Sequence, residues 1–200
     1  MNRVEHQNIL LMDIREEKLE RILQKFPLLI WGTIIKLYVC ITHNYTIDYL
    51  RLLRRAEYYQ SKRSTISKLL YVYSKWRLKK VSAFTGISIP PGVCKEGLTL
   101  YHYGSIVVNA HAKIGRNCYI MNNVNIGANK GSSLAPIIGN NVYIGPGAVL
   151  FGDIKIADNC YIGANSVVSK SVTEEYSIIA GIPAKVLKTE TKNWLEYNLI

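Results

Sequence analysis

The sequence predicts an α+β protein in which an N-terminal α-helical region precedes a left-handed parallel β-helix. The first observation is a register of apolar residues six positions apart, with a single interval of twelve, from Ile126 to Ile138, that keeps the phase. Its ten members are Val108, Ile114, Ile120, Ile126, Ile138, Ile144, Leu150, Ile156, Ile162 and Val168. Because a period of six fits neither a helix nor a long strand, it indicates hexapeptide repeats, with three short strands to a coil, that stack into a triangular prism. The second observation is charge: residues 1–85 hold 16 Lys/Arg and 7 Asp/Glu (net +9), and residues 86–200 hold 9 and 7 (net +2).

The helical region is expected to cover residues 1–85, the β-helix domain residues 86–188, and a C-terminal tail residues 189–200. Residues 1–25 have the apolar spacing of a charged amphipathic helix, and their polar start does not resemble a signal peptide. The apolar run of 16 residues from Phe26 to Ile41 is shorter than the roughly 20 residues that span a bilayer, so it predicts a buried or interfacial helix.

The last part of the helical region is basic and aromatic. Residues 51–80 hold ten Lys/Arg, Arg54 and Arg55 among them, against the single acidic residue Glu57. One interpretation is a helical cap whose basic face is solvated. The other is peripheral contact with the anionic inner face of a membrane, with Arg54 and Arg55 contributing to it. Nucleic acid is not expected as a partner, because no DNA- or RNA-binding signature accompanies the charge.

A second, mostly small or β-branched residue lies two positions before most of the apolar residues of the register. These inner residues are Ala112, Cys118, Val124, Val142, Ala148, Ile154, Cys160 and Ser166. We expect them to point into the prism beside the register. For Cys118 and Cys160 this predicts buried, reduced thiols, which suits a cytoplasmic protein.

Three segments interrupt or end the register. Gly127 to Pro136 contains a run of small residues and is expected to loop out of the prism. Residues 173–188 are predicted to be the closing turn. Beyond them, Trp194, Leu195 and Tyr197 have the spacing of a short amphipathic helix.

Two histidines lie in the β region. His111 precedes the inner residue Ala112, so alternation points it outward into solvent. His102 lies in the run Leu100-Tyr101-His102-Tyr103-Gly104, just before the regular register begins. On spacing alone it is a structural histidine or a candidate catalytic base.

From Gly86 to Lys188 the sequence resembles the serine acetyltransferase family of hexapeptide-repeat acyltransferases, and most of all the branch that acetylates sugars of surface polysaccharides. The matching segments are Ile89-Pro90-Pro91, residues 102–108, residues 125–129, residues 136–139, residues 162–168 and residues 181–186. The resemblance implies an acetyl-CoA-dependent O-acetyltransferase that needs no metal. It also implies a homotrimer, or a dimer of trimers, with active sites between neighbouring prisms.

His102 falls where this family has its catalytic base. An imidazole suits that task, because it titrates near neutrality and can accept the proton of an attacking hydroxyl. The oxyanion that follows needs a hydrogen-bond donor, and the backbone N–H groups of Gly127 and Ala128 are candidates. No covalent acetyl-enzyme is required.

The resemblance also implies where acetyl-CoA binds. The candidates along the pantetheine are Gly127, Ala128, Asn129, Gly145, Pro146, Gly163 and Ala164. Lys170 and Lys185 are expected near the nucleotide, where each could neutralise a phosphate. The alternative is that these glycines only form the corners of the prism.

The sequence departs from the serine-specific pattern at three positions. Ser88 occupies the position of an aspartate that orients the histidine, and Leu134 and Ala135 occupy those of an arginine and a histidine that serve the substrate. Because the carboxylate of a free amino acid calls for a basic partner, these changes favour a sugar hydroxyl as acceptor. L-Serine, the acceptor in cysteine biosynthesis, is the alternative.

Two further classes of protein are built on a similar prism. A carbonic anhydrase on a similar prism needs three histidines around a metal, whereas the β region contains His102 and His111 alone. The other class is a non-catalytic, structural prism, which measured binding of acetyl-CoA would contradict.

Overall fold

The computed structural model describes residues 44–190, which form two helices followed by coils of short strands. Helix α1 is Tyr45–Gln60 and helix α2 is Thr65–Thr85. The helices predicted over residues 1–41, and the one predicted around Trp194, lie outside the described residues. Within the basic segment, residues 51–60 and 65–80 are helical, as predicted, and residues 61–64 connect the two helices.

Helix α1 packs against the first coil. It buries Tyr49, Leu52, Leu53 and Ala56, which recur at helical spacing. The Tyr49 hydroxyl donates to the Ile89 carbonyl (3.0 Å) and accepts from the Ile89 N–H (2.7 Å). The backbone N–H and carbonyl of the buried Ile89 are thereby satisfied by the Tyr49 hydroxyl, and these bonds attach α1 to the β-helix.

Helix α2 ends at a glycine. Gly86 has a φ of 75°, and its N–H donates to the Ser82 carbonyl (2.9 Å). This left-handed C-cap redirects the chain into the first strand, and glycine adopts it without the steric cost that a Cβ brings.

The strands form three sheets, one on each face of a prism. The first sheet contains β1 (Ile87–Ser88), β3 (Ile106–Val108), β6 (Asn125–Gly127), β9 (Val149–Phe151) and β12 (Val167–Val168). The second contains β4 (Lys113–Ile114), β7 (Ile137–Ile138) and β10 (Lys155–Ile156). The third contains β2 (Thr99–Leu100), β5 (Tyr119–Ile120), β8 (Tyr143–Ile144), β11 (Tyr161–Ile162), β13 (Ser177–Gly181) and β14 (Ala184–Thr189). Every pairing is parallel except that of β13 with β14, so the predicted parallel coils are confirmed.

The core is the predicted register. All ten apolar residues of the register are at most 4% exposed, and the eight inner residues at most 3%. Successive coils stack like on like: Ile114 is paired with Ile138, and Ile120 with Ile144. Each coil therefore buries the apolar edge of its neighbour.

Two parts of the β region differ in detail from the sequence-based expectation. The sequence predicts a first coil over residues 92–107, whereas the prism starts earlier, with β1, which pairs with β3. Residues 173–188, predicted as a closing turn, form most of the antiparallel hairpin of β13 and β14. Because β13 pairs with β11, this hairpin extends the third sheet and covers the end of the prism.

The segments between the strands stack into three edges. The histidine edge joins the third sheet to the first and consists of residues 101–105, 121–124, 145–148 and 163–166. The loop edge joins the first sheet to the second and consists of residues 109–112, 128–136 and 152–154, with residues 169–171 after β12. The asparagine edge joins the second sheet to the third and consists of residues 115–118, 139–142 and 157–160.

Asparagines at the corners were not among the predicted features. Asn117, Asn123, Asn141, Asn159 and Asn165 all have a φ between 52° and 61°. Each follows a residue of the apolar register by three positions, a period that was visible in the sequence. Asparagine tolerates this left-handed conformation because its short polar side chain can hydrogen-bond locally.

Candidate active site

His102 lies at the histidine edge, in the segment between β2 and β3, and its side chain is exposed. Two contacts fix the backbone next to it. The Gly104 N–H donates to the Thr85 carbonyl at the end of α2 (2.9 Å), and a Cβ on Gly86 would lie 3.1 Å from the Gly104 backbone. The junction of helix and prism therefore positions the histidine segment.

A serine, Ser88, replaces the carboxylate that was expected to orient the His102 imidazole. Ser88, at the position of the family's aspartate, is exposed on β1 and is paired with Val107. Within the described residues, the contact of the imidazole is aromatic: its ring centroid is 6.4 Å from that of Tyr101. The ring is open to a reactant from solvent.

Four of the predicted acetyl-CoA residues share the histidine edge with His102. Gly145, Pro146, Gly163 and Ala164 stack in successive coils there, and the Asn165 N–H donates to the Pro146 carbonyl (2.8 Å). Lys185 lies close to them, since it pairs with Ala180 on the terminal hairpin. A Cβ on Gly163 would lie 3.0 Å from the Cβ of Ala180.

The other predicted residues lie at the loop edge. Gly127 ends β6 and Ala128 and Asn129 begin the exposed loop, whose predicted departure from the prism is confirmed. Lys170 follows β12 at the same edge and is exposed. The first sheet separates the two edges by the length of a three-residue strand, about 10 Å. One chain thus does not bring all the predicted site residues together.

The structure distinguishes the candidate glycines. A Cβ on Gly145 would lie 2.8 Å from the Ile162 carbonyl oxygen and from the Ala164 nitrogen. Gly145 is therefore required by the packing of the corner, which is the alternative considered above. A Cβ on Gly127 would meet only the Asn125 Oδ1, at 3.3 Å. Packing alone demands glycine far less at this position.

Asn129 is held by the coil above it. A Cβ on Gly152 would lie 2.8 Å from the Asn129 Nδ2, so the amide occupies the space that this glycine leaves open. The Gly152 N–H also donates to the Gly127 carbonyl (3.1 Å). These contacts fix the start of the loop at residues 127–129.

His111 is exposed at the loop edge, as alternation predicted. Its backbone N–H donates to the Asn109 Oδ1 (2.8 Å), a local turn interaction. The side chain makes no contact that marks it for chemistry within the described residues.

The thiols of the described chain are buried and free. Burial raises the pKa of Cys94 and of Cys118 to about 12, and it also raises the pKa of Cys160. A nucleophilic cysteine needs a lowered pKa and access to solvent. The predicted inward position of Cys118 and Cys160 is confirmed.

One feature beside His102 escaped sequence reasoning. The outer surface of the third sheet carries a column of tyrosines, Tyr119, Tyr143 and Tyr161, and Tyr101, directly after β2, continues it at the histidine edge. The Tyr101 and Tyr119 ring centroids are 5.9 Å apart, and the stacked rings of Tyr143 and Tyr161 are 4.5 Å apart. The signal was a tyrosine immediately before the apolar residue in three strands.

Comparison with known proteins gives consistent relationships. Residues 135–170 match the bacterial transferase hexapeptide (six repeats) family. A serine acetyltransferase of Staphylococcus aureus is 41% identical over 111 residues, 54% of this chain and 51% of the relative. One of Staphylococcus epidermidis is 36% identical over 137 residues, 66% of this chain and 60% of the relative.

The fold agrees with these sequence matches. The soybean serine acetyltransferase apoenzyme superposes with a TM-score of 0.61 and 26% identity, over 74% of this chain and 60% of the soybean chain. The chain spans roughly half to three-fifths of the length of the curated relatives it matches.

Proposed function

Because the chain contains hexapeptide repeats of the bacterial transferase type and is homologous to serine acetyltransferases, we propose that it is an acetyl-CoA-dependent O-acetyltransferase. The observation that carries the proposal is the exposed His102 beside a stacked column of glycines on one edge of the prism. We also propose that the coil is left-handed and that the protein is cytoplasmic. Buried, free thiols favour that location.

In the proposed reaction, His102 accepts the proton of the acceptor hydroxyl as its oxygen attacks the thioester carbonyl carbon. The carbon–oxygen bond forms, and the negative charge moves to the carbonyl oxygen. A backbone N–H of Gly127 or Ala128 donates a hydrogen bond to this oxyanion. The carbon–sulfur bond then breaks, and the departing thiolate takes the proton from the His102 imidazolium to give CoA. The products are the acetyl ester and CoA, without a covalent acetyl-enzyme.

A homotrimer, or a dimer of trimers, is part of this proposal. His102 and Gly127 lie on different edges of one prism, separated by the first sheet. Both can act on one acetyl-CoA if the histidine edge of one protomer faces the loop edge of its neighbour. Lys170 and Lys185 lie on different edges in the same way and would meet the phosphates of the nucleotide as exposed point charges.

L-Serine is the acceptor that the relatives support best, because they are named serine acetyltransferases. This reverses the order in which sequence reasoning placed the two acceptors. In the loop of residues 128–136, the charged residue that could pair with the carboxylate of serine is Lys130, which is exposed.

A sugar hydroxyl remains the second candidate because of one observation. Ser88, Leu134 and Ala135 replace the charged residues expected for a serine site, and Ala135 is buried. A loop with an exposed Leu134 and one lysine offers little to the carboxylate of a free amino acid. An uncharged acceptor, such as a sugar unit of a surface polysaccharide, would need no such partner.

The test uses the purified full chain with acetyl-CoA and measures CoA release with L-serine or with a panel of sugars and sugar nucleotides. His102→Ala is expected to lower turnover by roughly 10²–10⁴, the usual contribution of a general base, while the KM for acetyl-CoA changes little. His111→Ala is the matched control and is expected to retain turnover. Wild-type turnover in His102→Ala would remove this histidine from the mechanism, and a chain that does not bind acetyl-CoA would contradict the proposed function.

A further inference from the structure

Helix α2 presents an apolar stripe to solvent. Ile66, Leu69, Val72, Tyr73 and Trp76 are each between 51% and 69% exposed. Ile66, Leu69, Tyr73 and Trp76 are spaced three or four residues apart, so they line one side of the helix. We call this set of five residues the α2 stripe.

The opposite side of α2 is the one that packs on the protein. It buries Ser74, Leu78 and Thr85. A surface helix of a globular protein normally has a single apolar side, which faces the core. On α2 the apolar residues of the stripe instead face solvent, and such an exposed apolar side indicates a surface that a partner covers.

The positive charge of α2 favours a negatively charged partner. The helix contains five basic residues, Lys68, Lys75, Arg77, Lys79 and Lys80, and no acidic residue. Two of them contact the aromatic residues of the stripe. The Lys80 ammonium lies 4.1 Å from the centroid of the Trp76 ring, and the Arg77 guanidinium donates to the Tyr73 hydroxyl (3.3 Å). Basic and apolar groups are therefore interleaved on one surface.

We propose that the α2 stripe docks on an anionic lipid surface, with the helix lying in the plane of the interface. Apolar side chains would enter the boundary between headgroups and acyl chains, and the surrounding lysines would contact anionic headgroups. The aromatic rings suit this depth because one end of each is apolar and the other polar. Neither described helix is long and apolar enough to cross a bilayer.

Two other partners fit the surface less well. A second copy docking through the same stripe by a two-fold axis would bring Lys80 and its neighbours close to their own equivalents, and like charges would oppose each other. Nucleic acid would be attracted by the lysines, but it would leave Ile66 and Leu69 uncovered.

Of the two arginines predicted to contact lipid, Arg55 is exposed, whereas the structure gives Arg54 a different role. The Arg54 guanidinium pairs with Glu57 (2.7 Å) and donates to the carbonyls of Cys94 (2.8 Å) and Lys95 (2.5 Å). The Glu57 carboxylate in turn accepts from the Gly92 N–H (2.8 Å). Arg54 therefore attaches α1 to the first coil, and its removal would disturb the fold rather than test docking.

Flotation of the full chain with lipid vesicles tests the proposal. Wild-type protein is expected to float with vesicles of phosphatidylcholine and phosphatidylserine at low salt, and to stay in the soluble fraction with phosphatidylcholine alone. Lys79→Glu with Lys80→Glu is expected to lower the partition coefficient by about tenfold or more. Leu69→Ser with Trp76→Ser is expected to lower it by a similar factor, because the apolar contribution is lost.

The matched control is Lys113→Glu with Lys155→Glu. These lysines are exposed on the second sheet, and the change in net charge equals that of the Lys79 and Lys80 variant. The control is expected to bind as wild type does. An equal loss in the control, or no flotation of the wild type on anionic vesicles at low salt, would overturn the proposal.

Light scattering on the Leu69→Ser, Trp76→Ser variant tests whether the α2 stripe contacts a second copy of the chain instead. If the stripe docks on lipid, the variant keeps the oligomeric state of the wild type. An unchanged far-ultraviolet circular dichroism spectrum shows that α2 still folds. A smaller oligomer would mean that the α2 stripe faces another copy of the chain, which overturns docking on lipid. Acetyl transfer in solution is a separate measurement, so failure of this proposal leaves the proposed function untouched.

Discussion

Replacement of Asn141 separates two contributions that an asparagine makes at a corner of this β-helix. The residue has a φ of 53°, in the left-handed region. Its side chain accepts from the Asn117 Nδ2 (3.3 Å) and donates to the Asn159 Oδ1 (3.0 Å), so it links three coils at the asparagine edge. Alanine removes both the conformational tolerance and the side-chain hydrogen bonds, whereas glycine removes only the hydrogen bonds.

The magnitudes follow from these contacts. A left-handed conformation costs an alanine about 1–2 kcal/mol. Each side-chain hydrogen bond contributes about 1 kcal/mol net. Asn141→Ala is therefore expected to lower the free energy of unfolding by about 3–4 kcal/mol, and Asn141→Gly by about 2 kcal/mol.

The assay is urea denaturation followed by circular dichroism, with the free energy of unfolding extrapolated to water. Asn123→Ala is the control, because Asn123 has a φ of 60° but lies at the histidine edge, outside the chain of amide contacts. It is expected to lose only the conformational part, about 1–2 kcal/mol. Equal losses in Asn141→Ala and Asn141→Gly would refute the conformational argument. Wild-type stability in Asn141→Gly would show that the amide contacts contribute nothing.

Three further predictions concern two glycines of the site, the buried cysteines and the oligomeric state. Gly127→Ala should keep the free energy of unfolding within about 1 kcal/mol of the wild-type value but lower turnover by about tenfold or more. Gly145→Ala should be destabilised by roughly 1–3 kcal/mol, because its Cβ would collide with backbone. The reverse pattern in urea denaturation and CoA release would show that the roles of the two glycines are wrong. Cys94 and Cys118, whose pKa values burial raises to about 12, should resist iodoacetamide at pH 8 in the folded protein and react in urea, as peptide mass spectrometry would show. Because these pKa values exceed the usual 9.0, their contribution to stability should be intact below pH 9 and decline as the pH rises towards 12; labelling of the folded protein would contradict this burial. Light scattering should give a trimer or a multiple of three, and an active monomer would contradict a site shared between protomers.

Local periodicity was sufficient to predict the parallel coils. Ile114, Ile120 and Ile126 recur because each short strand must send one side chain to the axis, whatever its neighbours are. The same reasoning placed His111 outward and Cys118 inward, since alternation along a strand is a local property. The corner asparagines had a period as well, and the fixed interval from the register would have revealed it.

The contacts between distant segments depended on the stacking itself. The hydrogen bonds of Arg54 to the backbone of Cys94 and Lys95, 40 and 41 residues away, correspond to no periodic pattern in the sequence. The spacing of His102 and Gly127 in the sequence did not show that they lie on different edges, because the edge at which a residue lies depends on the number of residues in each coil. Such features arise only when coils are stacked and helices pack across them, since side chains far apart in the chain then meet or separate according to three-dimensional packing rather than to sequence interval.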